Sequence, residues 1–242
     1  MMDNQRIVLV TGSSHGIGRE IAVRLADVPE VSAVAVHYHQ NREAAGAVVE
    51  SVKSKGKGSS AFQADLLVED QAVGLIGRVQ EVFGQLDILV NDFGPFITKP
   101  WQDLTGADWE GILRGTLLSA FYCLKAALPG MRDNGWGRII NIGYSRAEQL
   151  ASFPGILPYA VAKTGLLTVT RTVAVAEAGK GVTVNMVSPG LMKGGAMPQT
   201  KNIPERAIGE FKDVAEAVLF LASDRAAAVT GTNIIVSGTW KM

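Results

Sequence analysis

Residues Arg6 to Gly18, RIVLVTGSSHGIG, carry an apolar run into a glycine-punctuated turn and straight on into a helical pattern. Ile7, Val8, Leu9 and Val10 read as a strand covered on both faces, and the helical period continues through Ile21, Ala22 and Leu25. The turn leaves the first N–H groups of the helix unpaired and partially positive. Gly12, Gly16 and Gly18 lack the Cβ atoms that would keep a phosphate away, so Gly12 to Gly18, with Ser13, Ser14, His15 and Ile17 between them, is expected to cradle a dinucleotide. The spacing is T-G-x-x-x-G-x-G rather than G-x-G-x-x-G, and a tight corner without a ligand would use the same glycines.

The alternation begun there continues along the chain. Strands are expected at Val31 to Tyr38, Ser59 to Ala64, Leu86 to Asn91, Gly137 to Gly143, Val182 to Val187 and Thr232 to Val236. Between them the pattern gives helices over Arg42 to Lys55, Glu69 to Phe83, Asp108 to about Met131 with a stop near Gly130, Pro158 to Ala178 and Asp213 to Ala222. No repeat or long linker divides the chain. The expected fold is α/β, a single-domain Rossmann-like doubly wound seven-stranded parallel sheet with helices on both faces, spanning residues 1–242.

Charge excludes some partners. Lys plus Arg and Asp plus Glu both number 23, so no charge excess points to nucleic acid or an acidic membrane surface, and a small molecule is the expected ligand. The one cysteine, Cys123, forms no internal disulfide, fits a reducing compartment and is expected in the core. No export signal is read before the first strand, and Thr116 to Leu128, interrupted by Lys125, reads as a buried helix; the expected location is cytoplasmic.

Ligands of such sheets collect beyond the carboxyl ends of the strands, where strand order reverses. That rule gathers the glycine turn, His37 to Arg42, Asp65, Asn91 to Gly94, Gly143 to Ser145 and Ser188 to Gly194 on one rim. Tyr159 and Lys163, four apart on a helix, leave the same face. A free phenol, with a pKa of about 10, is a poor acid or base near neutrality, but a neighbouring ammonium would lower that value. His37 and His39 have no convincing companions for a metal, and none is expected. The tryptophans Trp101, Trp109, Trp136 and Trp240 read as packing or interface residues.

The ordered set Thr11-Gly12-x-x-x-Gly16-x-Gly18, Asp65, Asn91 and Gly94, Tyr159-x-x-x-Lys163 and Ser188-Pro189-Gly190 resembles the short-chain dehydrogenase/reductase family over nearly the whole chain. Its 3-oxoacyl-carrier-protein reductase-like branch is the most similar well-known one. The resemblance implies an NAD(P)-dependent oxidoreductase with Tyr159 as proton donor or acceptor and Lys163 on the nicotinamide ribose. It implies Asp65 and Leu66 beside the adenine, Asn91 and Gly94 along the cofactor, and Pro189, Gly190 and Met192 near the nicotinamide. The end of the second strand, His37-Tyr38-His39-Gln40-Asn41-Arg42, has no carboxylate to hold a ribose 2′-hydroxyl, while His15 and Arg42 supply positive charge. NADP(H) is therefore expected over NAD(H), with Tyr38 and Arg42 at that end.

Several positions depart from the family pattern. Thr116 stands where an asparagine usually organises a relay water, and Gly143-Tyr144-Ser145 replaces the usual serine, so either Tyr144 or Ser145 takes that role. Asn-Asn-Ala-Gly becomes Asn91-Asp92-Phe93-Gly94, Gly194 replaces a threonine, and the lid segment Gly195 to Pro204 is short, suiting either a mobile loop or one that defines an unusually open pocket. The leading expectation is an NADPH-dependent carbonyl reductase acting on a ketone, an aldehyde or a 3-oxoacyl thioester, reversible as an alcohol dehydrogenase. A dinucleotide-binding regulator and an enoyl reductase are the alternatives. Leu117, Leu118, Phe121 and Leu124, with Leu166, Leu167, Val169 and Val173, widen two apolar helix faces that the resemblance implies pair between subunits, as a homotetramer or homodimer.

Overall fold

The structure, a computed structural model, describes residues 5–195, 203–204 and 207–238. Its main strands are β1 (Arg6–Thr11), β2 (Val31–Tyr38), β3 (Gly58–Gln63), β4 (Ile88–Asn91), β5 (Gly137–Ile142), β6 (Val182–Pro189) and β9 (Asn233–Val236). Among the described residues the two-residue strands β7 (Leu191–Met192) and β8 (Ile208–Gly209) pair with each other and not with the main sheet. Seven strands make one parallel sheet in the order β3-β2-β1-β4-β5-β6-β9. Strand order therefore reverses between β1 and β4, where Thr11 lies opposite Asn91.

The helices are α1 (Gly16–Leu25), α2 (Arg42–Lys53), α3 (Glu69–Phe83), α4 (Gly106–Ile112), α5 (Ser119–Asp133), α6 (Leu157–Ala176) and α7 (Phe211–Ala222). Alternate residues of the central strands point to opposite faces. Val8, Val10, Val34 and Val36 pack with α1, α2 and α7, while Ile7, Leu9, Ala33 and Ala35 pack with α3 and α5. Strands that read as unbroken apolar runs are thus resolved into two cores by the pleat.

Three expectations about elements need correcting. β4 begins at Ile88 rather than Leu86, because the Asp87 carboxylate accepts the Ile7 N–H at 2.7 Å in place of a ladder carbonyl. The helix expected from Asp108 to Met131 runs through Gly130 to Asp133, and Leu113–Leu118 between α4 and α5 is π-helical. That continuous 28-residue stretch is long and apolar enough to cross a membrane, but half of its most apolar window is buried inside the fold. β7 and β8, absent from the sequence reading, are each too short to show a period.

Candidate active site

Thr11 closes the reversal point. Its Oγ1 accepts the N–H groups of Asp92 and Phe93, each at 3.1 Å, and so ties the exit of β4 to the exit of β1. Gly12 follows with φ +68°, and a Cβ there would lie 3.1 Å from the Phe93 backbone, so both conformation and space require glycine. The Gly12 N–H donates to His37 Nδ1 at 2.9 Å, and His37 Nε2 lies 3.1 Å from the Ala64 carbonyl. An acceptor Nδ1 leaves the ring's proton on Nε2, which donates to Ala64. Fully buried, His37 is held neutral, its pKa pushed down to about 4 chiefly by desolvation.

The glycine turn fits a diphosphate. The N-cap of α1, His15, makes no side-chain cap hydrogen bond, and the first turn has no acidic residue, so its N–H groups face outward uncapped by their own turn. Gly16 opens onto empty space. Ser13 is committed inward, its Oγ donating to the Val10 carbonyl at 2.7 Å and accepting the His37 N–H, whereas Ser14 Oγ pairs with His15 Nδ1. Ile17 is half-buried against the α1 core.

The far end of the crevice is mixed. Tyr38 is half-buried, and Arg42, exposed in the first turn of α2, borders with it a groove of about 460 Å³ between α2 and β3. A carboxylate reaches this end from β3 rather than β2: Asp65 Oδ2 lies 3.9 Å from His39 Nε2. Leu66 is buried in the core among α3 residues, so its side chain is not on the rim. His39 and Phe93 also line an apolar cleft of about 370 Å³ running between the post-β4 loop and α4.

Asn91 is turned under the rim. Its Nδ2 donates to Asn141 Oδ1 at 2.9 Å, and Asn141 in turn donates to Thr170 Oγ1, a buried amide chain joining β4, β5 and α6. Gly94 is exposed, and a Cβ on it would lie 3.2 Å from Thr116 Oγ1. Thr116 sits in the π-helical stretch, buried, with a hydroxyl that has no hydrogen-bond partner among the described residues. A π-bulge at such a position commonly marks a functional site. Pro189 and Gly190 close β6, the Gly190 N–H donating to Val236, and Met192 is buried in the core beside them. Gly194 lies in a turn with φ +86°. Residues 196–202 of the expected lid, and Trp240, lie outside the described residues.

Tyr159 and Lys163 share one face of α6. Lys163 is 4% exposed and donates from Nζ to the Ile142 carbonyl at 2.6 Å, its ammonium 5.6 Å from the centre of the Tyr159 ring. The phenol's acidity, however, runs against the sequence expectation. Burial raises the Tyr159 pKa above its ordinary value, and the charges of Asp92 and Tyr144 raise it further, so this structure holds a neutral phenol. Lys163 is pushed down by burial and pulled back up by Asp92.

Around Tyr159 stands an aromatic wall that the sequence did not reveal. Phe96 meets it edge-on at 4.9 Å, Tyr144 at 5.7 Å, and Phe153 flanks Tyr144 at 6.2 Å. Lys99 N–H donates to the Gly155 carbonyl at 2.8 Å and ties the post-β4 loop to the post-β5 loop. Tyr144 is half-buried beside Tyr159, while Ser145 is 5% exposed with its Oγ sealed and without a hydrogen-bond partner among the described residues. The sequence placed His37 and Asp92 on the rim without giving either a specific role, and it missed Phe96 and Phe153. The signals available were a histidine ending an apolar strand and a carboxylate replacing an amide; the two phenylalanines sit in loops without periodicity.

A family model described as enoyl-(acyl carrier protein) reductase matches residues 12–240. The 3-oxoacyl-acyl-carrier-protein reductase FabG of Staphylococcus aureus (strain Mu50) is 36% identical over 246 residues, covering 98% of each chain. FabG of Haemophilus influenzae is 34% identical, covering 96% of this chain and 97% of that one. Among solved structures, a blue fluorescent protein from a metagenomic library in complex with NADPH superposes with a TM-score of 0.87 at 32% identity, covering 98% of both chains. A dehydrogenase/reductase from Sinorhizobium meliloti 1021 does so at 0.86 and 31%, covering 98% of this chain and 95% of that one.

Proposed function

Because this chain belongs to the short-chain dehydrogenase/reductase family and is an NAD(P)-dependent oxidoreductase, we propose that it uses NADPH to reduce a ketone or aldehyde to the alcohol. A 3-oxoacyl thioester falls within that class, as the names of the FabG relatives suggest. The observation that carries the reading is the placement of the Tyr159 ring, with the Tyr144 ring 5.7 Å away and the Lys163 ammonium 5.6 Å away on the same helix face.

Gly12 to Gly18 and the N-terminus of α1 would hold the diphosphate, Asp65 and Phe93 the adenine end, and Lys163 the nicotinamide ribose. Pro189 and Gly190 would line the nicotinamide. When bound, the dinucleotide supplies a hydride to the carbonyl carbon. Tyr159 gives its hydroxyl proton to the carbonyl oxygen as that oxygen takes up the electron pair of the C=O bond. Tyr144 donates a hydrogen bond to the same oxygen and fixes its direction; Ser145, sealed inward, does not. Thr116, buried with an unpartnered hydroxyl beside Gly94, supports the water that reprotonates Tyr159.

NADPH is favoured over NADH because Arg42 supplies positive charge at the exit of β2, where no carboxylate follows Tyr38 before Glu43. We place the enzyme in the cytoplasm, as one domain in a homodimer or homotetramer. Leu124, Leu166 and Leu167 are spent in its own cores, which leaves Phe121 on α5, and Val161 and Val175 on α6, as the exposed apolar residues for pairing.

NADPH oxidation tested against aryl and alkyl ketones, aldehydes, 3-oxoacyl thioesters and 2-enoyl thioesters examines the reading. Turnover on a carbonyl supports it. Turnover confined to the enoyl thioesters would replace it with the activity named by the matching family model.

A further inference from the structure

Lys163 is a buried cation. Among the described residues its ammonium hydrogen-bonds to a neutral carbonyl, that of Ile142. A buried charge needs an opposite charge close by. Strand register shows where one comes from: Asn91, the last residue of β4, pairs with Asn141, so Asp92 leaves β4 at the level where β5 reaches Ile142, the residue whose carbonyl anchors Lys163. The Asp92 main chain is pinned there by Thr11. Its carboxylate is packed against α1, with Oδ2 only 2.6 Å from where a Gly18 Cβ would stand, so glycine at 18 makes room for it.

We propose that Asp92 is the counter-ion of the active site, a positioning residue that keeps Lys163 as an ammonium and Tyr159 as a phenol, and so biases the enzyme toward reduction. This rests on the carbonyl-reductase reading above. One negative charge acts on both groups in the same sense, making Lys163 harder to deprotonate and Tyr159 harder to ionise. The titratable groups facing Lys163 among the described residues are Asp92 from the post-β4 loop and Tyr159 from its own helix; Tyr144 from the post-β5 loop faces Tyr159. Asp92 itself is drawn toward ionisation by Lys163 and the Gly18 amide, against its burial.

The test is Asp92→Asn, which keeps the shape and an acceptor for Gly18 and removes only the charge. Carbonyl reduction requires the protonated forms of Tyr159 and Lys163, and both are lost as pH rises. The alkaline limb of kcat/KM for reduction is therefore expected to move to lower pH by about one unit or more in Asp92→Asn. A limb that stays in place overturns the proposal.

A stability cycle reads the pair without turnover. Asp92→Asn should lower the urea midpoint in the wild-type background and leave it nearly unchanged in the Lys163→Met background. Equal shifts in the two backgrounds would overturn the proposal. If the wild type reduces no carbonyl, the reductase reading fails while the cycle still reports on the coupling between the two charges.

Discussion

Phe96 stands edge-on to Tyr159, the ring centres 4.9 Å apart and the planes at 89°. Phe96 is 45% exposed, so the ring that touches the proposed proton donor also faces the space a substrate enters. An edge-to-face contact contributes roughly 0.5–1.5 kcal/mol beyond its buried area. Phe96→Ala is expected to raise KM for aryl ketones about 2- to 10-fold with a smaller change in kcat, by steady-state kinetics. A fall in kcat at unchanged KM would instead make Phe96 a support for Tyr159 alone.

Two adjacent hydroxyls compete for one role. Tyr144 lies beside the Tyr159 ring, while Ser145 turns a sealed, unpartnered hydroxyl inward. Tyr144→Phe is expected to lower kcat by about 10²-fold, the usual cost of losing one donor to a developing oxyanion. Ser145→Ala should leave kcat near that of the wild type and stability equal or slightly higher, since it removes an unsatisfied buried group. The reverse ranking would assign the carbonyl to Ser145.

Arg42 provides a direct test of cofactor choice. A charge-assisted hydrogen bond to a phosphate contributes about 1.5–3 kcal/mol. Arg42→Ala is expected to weaken NADPH binding about 10- to 100-fold and leave NADH binding nearly unchanged, by fluorescence titration. Equal losses for both would show that Arg42 does not read the 2′-phosphate.

His37 links pH to folding. Its folded pKa, pushed down to about 4, lies below the ordinary value of 6.5, so between those values the unfolded chain binds a proton that the folded chain refuses. This residue's contribution therefore makes the fold lose stability as pH falls through that window, by up to about 1.36 kcal/mol per pH unit, and the loss levels off below it. Urea unfolding at pH 7, 6 and 5 should show a steeper decline for the wild type than for His37→Gln. Parallel curves would place the pH dependence elsewhere.

The fold was legible because strand and helix periods alternate cleanly and because Gly12, with φ +68°, punctuates the first turn. The Tyr159–Lys163 pair was legible from its spacing taken together with the glycine turn and the family resemblance, not from spacing alone. Its electrostatics were not, because the sign of the Tyr159 shift depends on burial and on Asp92, which is 67 positions away in sequence and near only through the register of β4 and β5. Asn91 falls on the rim because it ends a strand, and Leu66 is placed beside the adenine by the family resemblance. Which way a side chain turns at a strand end depends on pleat phase, and both turn inward. Phe96 and Phe153 lie in loops, where neither period applies and the two segments meet through long-range contacts such as the Lys99–Gly155 hydrogen bond.

The account depends most on the Tyr159 hydroxyl as the source of the proton. Tyr159→Phe removes that one oxygen and leaves the ring against Phe96 and Tyr144. With the best ketone found, measured by NADPH absorbance, the variant should lose at least about 10²-fold in kcat while binding NADPH with wild-type affinity. A variant that binds NADPH and reduces the ketone at the wild-type rate would contradict the mechanism outright.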